Sequence, residues 1–282
     1  MRTIKIIMSF ALALALTACG DDEPKGGGGS GEYGSDVPFP ELGANHKRIK
    51  ELKREYSNGL TQTLTATYDR LNHLTAMTMT TEGPTNTSET ITINYGARTI
   101  EYKQSIRTTS LVFELDSHGR LTHVGNPRSS SQDEVNYNYD SDGNLVLSQS
   151  STTNFVEYSW FDHNLMRFSA KRLDWEQQVA YTYSTDTANP LDNKGGIDLV
   201  ANIQSPFNSL VTMVLRSEGL IGNVSGQLPI GVSTKTQYTG QEPVSKSSAI
   251  SYTFDASGFV TGVSGYDNVN DLSYKLTVTY AN

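Results

Sequence analysis

The sequence predicts an all-β fold, an antiparallel up-and-down meander that curls into an open or closed barrel-like sheet, with one short helix near 206–216. In several stretches apolar residues occupy every second position, and each stretch ends on an aromatic residue. Some of these stretches are followed at once by the phrase Asp-x-x-Gly. A period of two sends alternate side chains to opposite faces of a strand. One apolar face and one wetter face are typical of an antiparallel sheet.

The alternating stretches provide the strands of the meander. Thr, Ser, Asn, Gln or Glu separate their apolar positions. Asp116 and Asp140 are 24 residues apart, and Asp140 and Asp162 are 22 apart, a period that fits a turn, two strands of ordinary length and a second connection. The predicted strands include 64–68, 91–95, 135–139, 156–160, 179–183, 250–254 and 276–280.

The Asp-x-x-Gly phrase predicts the turns between strands. An Asp at the first position of a type I turn can bond the backbone just ahead, and a Gly at the fourth position takes the left-handed conformation of a bulged hairpin. Asp69 and Asp162 begin degenerate copies in which Asn72 and Asn164 supply the left-handed residue. The predicted structural turns pair Asp116 with Gly119, Asp140 with Gly143, and Asp255 with Gly258.

A calcium loop is the rival interpretation of the same phrase. Asp140, Asp142 and Asn144 could open such a loop, but an EF-hand-like site needs a bidentate acid at its twelfth position. That position is Ser151, and no second helical pattern follows. The turn interpretation is therefore favoured, and no metal site is predicted.

Two segments depart from the alternating pattern. The first is a non-repeat insertion at about 185–231, in which 206–216 fits a short helix capped by Ser205 and stopped by Gly219. A strand over 210–215 is the alternative. The second is 46–56, where Ile49, Leu52 and Tyr56 have helical spacing.

The N-terminus carries an export signal. Arg2 and Lys5 precede an apolar run over 6–16 that is too short to span a bilayer. Leu16-Thr17-Ala18-Cys19 then resembles the bacterial lipobox, which implies a signal peptide at 1–18 and lipidation of Cys19. An ordinary secretory peptide is the alternative. The Gly/Ser and acidic residues of 19–42 predict a flexible linker, which leaves a single β domain at 43–282.

Acidic residues follow the lipidation site and dominate the charge of the chain. Asp21, Asp22 and Glu23 resemble the signal that sends Bacteroidota lipoproteins to the cell surface, although they could serve only as solubilising charges. The resemblance implies an outer-membrane, lipid-anchored protein that faces the cell exterior. Without Arg2 and Lys5, 20 basic residues oppose 30 acidic ones, a net charge of about −10. Such a surface repels phosphate backbones, so nucleic acid is not an expected partner.

Two family resemblances support this picture. LDSHGRLT and YDSDGNL resemble the YD repeat of Rhs-type bacterial proteins, whose repeats are hairpins of a curling sheet. The lipobox, the hairpins and the segment NKGGIDL…EGLIGNVSGQLP together resemble a family of uncharacterised Bacteroides lipoproteins with a porin-like fold. This resemblance implies a fold and a location, allows a strand at 46–56, and carries over no active-site residues.

No catalytic residue or cofactor is predicted. The acids Asp174 and Glu176 form a local cluster of the kind expected of loop charges, and Trp160 and Trp175 fit either a sheet core or a sugar-stacking platform. Asp186-Thr187-Ala188 resembles a Bacteroidota O-glycosylation site at Thr187.

Three functional hypotheses remain open. The first is a non-catalytic binding or scaffolding module for a glycan or protein ligand, tethered to the membrane through its N-terminal lipid. The second is a glycan-acting enzyme whose acid pair converges only in the folded chain. The third is a carrier of a small apolar ligand, which needs a sizeable apolar cavity.

Overall fold

The fold is taken from a computed structural model. It describes residues 38–42, 46–96, 98–105, 110–125, 134–185, 191–197, 209–268 and 270–281. The predicted signal peptide, Cys19, most of the predicted linker and Thr187 lie outside these ranges.

The described residues form one antiparallel sheet and one helix. The helix α1 spans Ser209–Ser217 and confirms the helical interpretation of the insertion. The strands are β1 (Ile49–Tyr56), β2 (Thr61–Tyr68), β3 (Leu74–Glu82), β4 (Thr87–Tyr95), β5 (Thr99–Gln104), β6 (Leu111–Leu115), β7 (Leu121–Gly125), β8 (Val135–Tyr139), β9 (Leu145–Ser151), β10 (Asn154–Phe161), β11 (Asn164–Arg172), β12 (Trp175–Thr182), β13 (Gly231–Tyr238), β14 (Val244–Ala249), β15 (Ser251–Phe254), β16 (Val260–Asp267) and β17 (Leu272–Tyr280).

The strands form an up-and-down meander that nearly closes on itself. Successive strands pair antiparallel along the chain, and β1 pairs with both β2 and β17, so the two ends of the meander meet. The succession is interrupted at Ile250, which separates β14 from β15; β14 pairs with β13, and β15 pairs with β16. The predicted curled meander is thus confirmed, and the sheet is a nearly closed barrel.

The helical spacing at 46–56 has a different cause. β1 contains a β-bulge. Ile49 pairs with Tyr280, and Glu51, two residues later, pairs with the adjacent Thr279, so β1 has one extra residue here. The extra residue resets the alternation, and both Ile49 and Leu52 face the interior with no exposed surface. The helical interpretation of this segment is wrong, and the strand that the resemblance allowed is present.

The barrel is filled rather than hollow around α1. Inward-facing residues of the strands form one hydrophobic cluster with Leu210, Val211, Val214 and Leu215 of the helix. All residues of α1 after Ser209 are buried. The helix contacts β1 and β2, while its Arg216 lies 5.9 Å from the Trp160 ring on β10. These contacts on different sides place α1 inside the barrel.

In five of the predicted stretches, the aromatic residue at the end ties neighbouring strands together. Its polar hydrogen is donated to a carbonyl near the start of the preceding strand, at distances of 2.7 to 3.0 Å. All of these bonds lie at the barrel end that carries the Asp-x-x-Gly turns, which we call the turn end. The pairs are Tyr68 with Ile49, Tyr139 with Leu121, Trp160 with Leu145, Tyr183 with Leu165, and Tyr280 with Val260.

The segment that follows α1 crosses the turn end. The Leu220 carbonyl accepts from the N–H of Leu121 (2.8 Å), and the N–H of Asn223 donates to the Gly143 carbonyl (3.1 Å). The last residues of the predicted linker also pack here, where the Phe39 ring stacks on His73 with centroids 3.6 Å apart. The turn end is therefore held together by backbone bonds and ring contacts.

Candidate functional site

The predicted turn residues have the geometry of Asx-type turns. One carboxylate oxygen of Asp140 accepts from the N–H groups of Asp142 (3.0 Å) and Asn144 (2.9 Å), and its other oxygen accepts from the Asn144 side chain (3.0 Å). Burial by itself would raise the pKa of Asp140. The hydrogen bonds from Asn144 and the backbone outweigh this effect, so the pKa lies below its usual value. Asp116 and Asp255 accept two backbone N–H groups each in the same way.

The two degenerate copies of the turn differ from each other. Asn72 has the predicted left-handed conformation, with a φ of 66°. In the second copy the positive φ angles are those of Asp162 (47°) and His163 (58°), so the prediction that Asn164 is its left-handed residue is wrong.

The glycines of these turns require their special conformation. Gly119, Gly143 and Gly258 have φ angles of 77°, 87° and 84°, a region that other residues rarely adopt. With both oxygens of Asp140 engaged by N–H donors, its surroundings are those of a turn rather than of a calcium ligand. Within the described ranges, no group of three or more His, Cys, Asp or Glu side chains is arranged to hold a metal ion.

The opposite end of the barrel carries a cavity, which we call the funnel. It consists of two adjoining spaces of about 310 Å³ each, one around Trp175 and a second around Tyr274, and both are lined by Gln177, Thr234 and Asn268. Trp175 is the first residue of β12, whereas Tyr183 follows its last residue and bonds at the turn end. The funnel and the Asp-x-x-Gly turns therefore lie at opposite ends.

The inner space of the funnel ends on α1 and Arg54. Arg54 lies on β1 and donates to the Ser209 hydroxyl (2.9 Å), with the Tyr56 hydroxyl at 3.4 Å and the Met213 sulfur at 3.5 Å. Its guanidinium carbon is 5.7 Å from the centre of the Tyr274 ring. Burial raises the pKa of Tyr274, so its hydroxyl stays protonated at neutral pH and can donate to a ligand.

The outer space of the funnel is aromatic and basic. The Arg172 guanidinium lies 5.3 Å from the centre of the Trp175 ring, a cation–π contact. Lys246 also lines this space, and it pairs with Asp271 and donates to the Asn268 carbonyl (3.1 Å). The exposed side chains of Tyr238 and Val244 also line this space.

The two tryptophans have different roles. Trp160 is part of the turn-end bonding, because its indole N–H donates to the Leu145 carbonyl at 2.8 Å. Trp175 instead presents its ring to the funnel. Both occur in alternating strands with aromatic neighbours, so the sequence offered no signal that separates them.

Carboxylates are scarce in the funnel. Of its described lining residues only Asp267 is acidic, and its oxygens accept from the backbone N–H (3.1 Å) and side-chain amide (2.8 Å) of Asn270. Glu176, from the acidic cluster in the sequence, is exposed and pairs with Lys171 at 3.2 Å. The pair of carboxylates that glycosidase chemistry needs is therefore not formed by this lining, and the hypothesis of a glycan-acting enzyme gains no support.

An apolar carrier also gains little support. The helix occupies the interior where an apolar cavity would lie, and the funnel walls mix aromatic rings with Gln177, Thr234, Asn268 and Arg54. An apolar ligand would displace water from this polar surface without replacing the hydrogen bonds of that water, which costs free energy. The lining fits a ligand that carries polar groups and an apolar face.

A buried ion pair at the turn end was not foreseen from the sequence. Arg48 pairs with Glu218, which is 5% exposed, and the Tyr68 hydroxyl donates to the same carboxylate at 3.1 Å. Burial raises the pKa of Glu218 to about 7, although Arg48 and Tyr68 act in the opposite direction. Because Glu218 follows α1 while Arg48 and Tyr68 belong to the barrel wall, this cluster fastens the internal helix to β1 and β2.

Comparisons with known proteins show the fold and nothing finer. No family model matches the sequence, and no curated protein matches it. A porin-like protein from Bacteroides uniformis has a similar structure, with a TM-score of 0.63, 15% identity, and coverage of 83% of this chain and 98% of that chain. A porin-like protein from Bacteroides vulgatus has a TM-score of 0.56 and 11% identity, with coverage of 83% and 99% respectively. The chain thus shares the barrel-like fold of these proteins.

None of the helices in the described ranges is both long and apolar enough to cross a membrane.

Proposed function

We propose that this protein is an outer-membrane lipoprotein, anchored through Cys19 and facing the cell exterior, whose barrel binds a small saccharide in the funnel without chemically changing it. The observation that carries the binding proposal is the lining of the funnel, where the Trp175 ring, neutral hydrogen-bonding side chains and Arg54 converge on one concave space. The location rests on the lipobox and on the acidic residues behind it.

The chemistry of the funnel favours a sugar. A saccharide has hydroxyl groups that both donate and accept, which suits Gln177, Thr234 and Asn268, and apolar C–H faces that pack on aromatic rings. Each space of about 310 Å³ lies at the small end of the range for ligand pockets. The site therefore suits a short saccharide or the end of a longer one.

The exterior of the barrel supports anchoring by lipid rather than by insertion of the strands. Over 90–94 of β4, Thr90, Thr92 and Asn94 are exposed, whereas Ile91 and Ile93 face the interior. β17 repeats this arrangement with exposed Lys275, Thr277 and Thr279. A membrane-spanning barrel needs an apolar outer band, and these strands direct their polar side chains outward.

The anchor is tested by labelling cells with radioactive palmitate. The wild-type chain is expected to incorporate label, and Cys19→Ala is expected to lose it because the thiol is the acylation site. Protease added to intact cells should remove the wild-type protein. Label retained by Cys19→Ala would contradict the anchor, and protection from protease in intact but not in lysed cells would contradict outward display.

Binding is tested by thermal unfolding of the purified protein against a panel of neutral and acidic oligosaccharides. A saccharide present at 100 times its Kd should stabilise the fold by about 2.7 kcal/mol, which raises Tm by roughly 5 °C or more. Fatty acids and peptides serve as comparison ligands. Stabilisation by fatty acids alone, or hydrolysis of any panel member, would contradict the proposal.

A further inference from the structure

Arg54 has no anionic partner among the residues that the structure describes. Its hydrogen-bonding partners are the Ser209 and Tyr56 hydroxyls and the Met213 sulfur, all of which are neutral. Among the described residues no carboxylate forms an ion pair with it, and its Nε is buried with no acceptor. Arg54 is half-buried, and a guanidinium that is partly removed from water loses hydration that an anionic partner would offset.

Asn268 shows the same deficiency within the same cavity. Its side chain lines both spaces of the funnel, and its Nδ2 is buried with no acceptor. Two residues that line the funnel therefore each have a buried donor nitrogen with no acceptor in the part of the chain that the structure describes. Buried donors without partners are rare in native proteins, and each one calls for an explanation.

The funnel is basic although the chain is acidic. Its described lining includes Arg54, Lys171, Arg172 and Lys246 but only Asp267 as a counter-charge, whereas the whole chain carries a net charge of −8. Lys171 and Lys246 have acidic partners, but within the described ranges Arg172 has no ion pair and lies against Trp175. A cationic cleft in an acidic surface attracts anions and raises their rate of entry.

The geometry points to a short acidic saccharide that contains a uronic acid or a related sugar, with the carboxylate on Arg54 in the inner space and a neighbouring sugar ring against Trp175 in the outer space. This inference rests on the proposed function, since it names the class of saccharide that the same funnel takes. The planar guanidinium matches a carboxylate with paired hydrogen bonds. α1 begins at Ser209, which bonds Arg54, so the positive end of the helix dipole adds to the attraction.

The test compares uronic-acid disaccharides with their methyl esters by calorimetric titration of the full chain in detergent. The ester keeps the shape of the sugar and removes its charge. The wild-type protein is expected to bind the acid at least tenfold more tightly than the ester, and added salt should narrow this difference. A sulfated disaccharide forms a third arm and is expected to bind more weakly than the carboxylate.

Substitutions then locate the carboxylate. Arg54→Gln should weaken binding of the acid by about 10- to 100-fold and leave the ester nearly unaffected. Arg54→Lys keeps the charge but loses the paired geometry, so an intermediate loss is expected. Arg167→Gln is the matched control, because Arg167 is exposed on the outer face of β11 and bonds Ser159. Unfolding curves establish that each variant is folded, and the acid–ester comparison on the wild type does not depend on any variant.

The outcomes separate this inference from the proposed function. Equal affinity for acid and ester, tighter binding of the sulfated sugar, or binding of neutral glycans alone would overturn the carboxylate assignment while the saccharide site stands. An acid preference that Arg54→Gln leaves intact would also overturn the role of Arg54. If no saccharide binds at all, both the assignment and the proposed function are wrong.

Discussion

Replacing Arg48 with methionine is expected to lower the free energy of unfolding by about 3 kcal/mol at pH 8, because removal of one partner leaves the other charge buried without compensation. Glu218 is 5% exposed, and among the described residues the Tyr68 hydroxyl is its one remaining side-chain donor. The substitution also detaches the end of α1 from β1. Urea unfolding of both proteins at pH 8 and at pH 5 measures the effect.

The size of this loss depends on pH in a definite direction. Burial raises the pKa of Glu218 to about 7 from an ordinary value near 4.5, so between these limits the folded state holds a proton that the unfolded state has released. Stability therefore falls as pH rises through this window. Without Arg48 the carboxyl group is still harder to ionise, so the penalty is small at pH 5 and large at pH 8.

Two variants control this prediction. Glu218→Gln keeps an acceptor for Tyr68 and should remove most of the dependence of stability on pH between about 4.5 and 7. Lys53→Met breaks an exposed pair with Glu55 and should change stability by less than about 1 kcal/mol. Equal stability of Arg48→Met and the wild type at pH 8 would show that the ion pair does not fasten the helix.

The Asx-type turns also make the stability of the fold depend on pH, but at lower pH values and in the opposite direction. The pKa values of Asp69, Asp116, Asp140 and Asp255 lie below their usual range. Their contribution is present above about pH 4 and is lost as pH falls through the lowered values. Together with Glu218, these aspartates should make the free energy of unfolding greatest at a mildly acidic pH.

Leu215→Ala is expected to destabilise the protein by about 2 to 5 kcal/mol, the usual cost of leaving a cavity in a packed core. Leu215 is 0% exposed on α1 and belongs to the same cluster as the inward faces of the strands. Leu173→Ala makes the same chemical change at a residue that is 86% exposed, and less than about 0.5 kcal/mol is expected there. Similar small losses for both variants would mean that α1 does not fill the barrel.

The fold was largely predictable because its signals are local. Alternation along each strand and the Asp-x-x-Gly phrase depend on neighbouring residues, and Gly143 shows the left-handed φ that the phrase implies. The helical interpretation of 46–56 was wrong because the bulge after Ile49 changes the period of two into a spacing that resembles that of a helix. A bulge is set by the pairing with β17, more than two hundred residues away, and so it leaves no local pattern.

The candidate site was much less predictable. Arg54, Gln177, Thr234 and Asn268 come from or follow four different strands, and only closure of the barrel brings them together. Arg48 directly precedes β1 and Arg54 lies on it, yet Arg48 fastens Glu218 at the turn end and Arg54 faces the funnel. Which end of the barrel each one reaches depends on the register of the sheet, and composition does not encode it.

In the proposed function, the funnel binds the saccharide and the turn end serves only to hold the barrel together. The chain has two tryptophans, one at each end, so fluorescence of single-tryptophan variants tests the claim directly. With a saccharide that stabilises the protein, Trp160→Phe retains Trp175 and should show a saturable change in emission. Trp175→Phe retains Trp160 and should show none at a concentration where thermal unfolding demonstrates binding. A change that follows Trp160 instead, or no change from Trp175 while the saccharide is bound, would contradict the account.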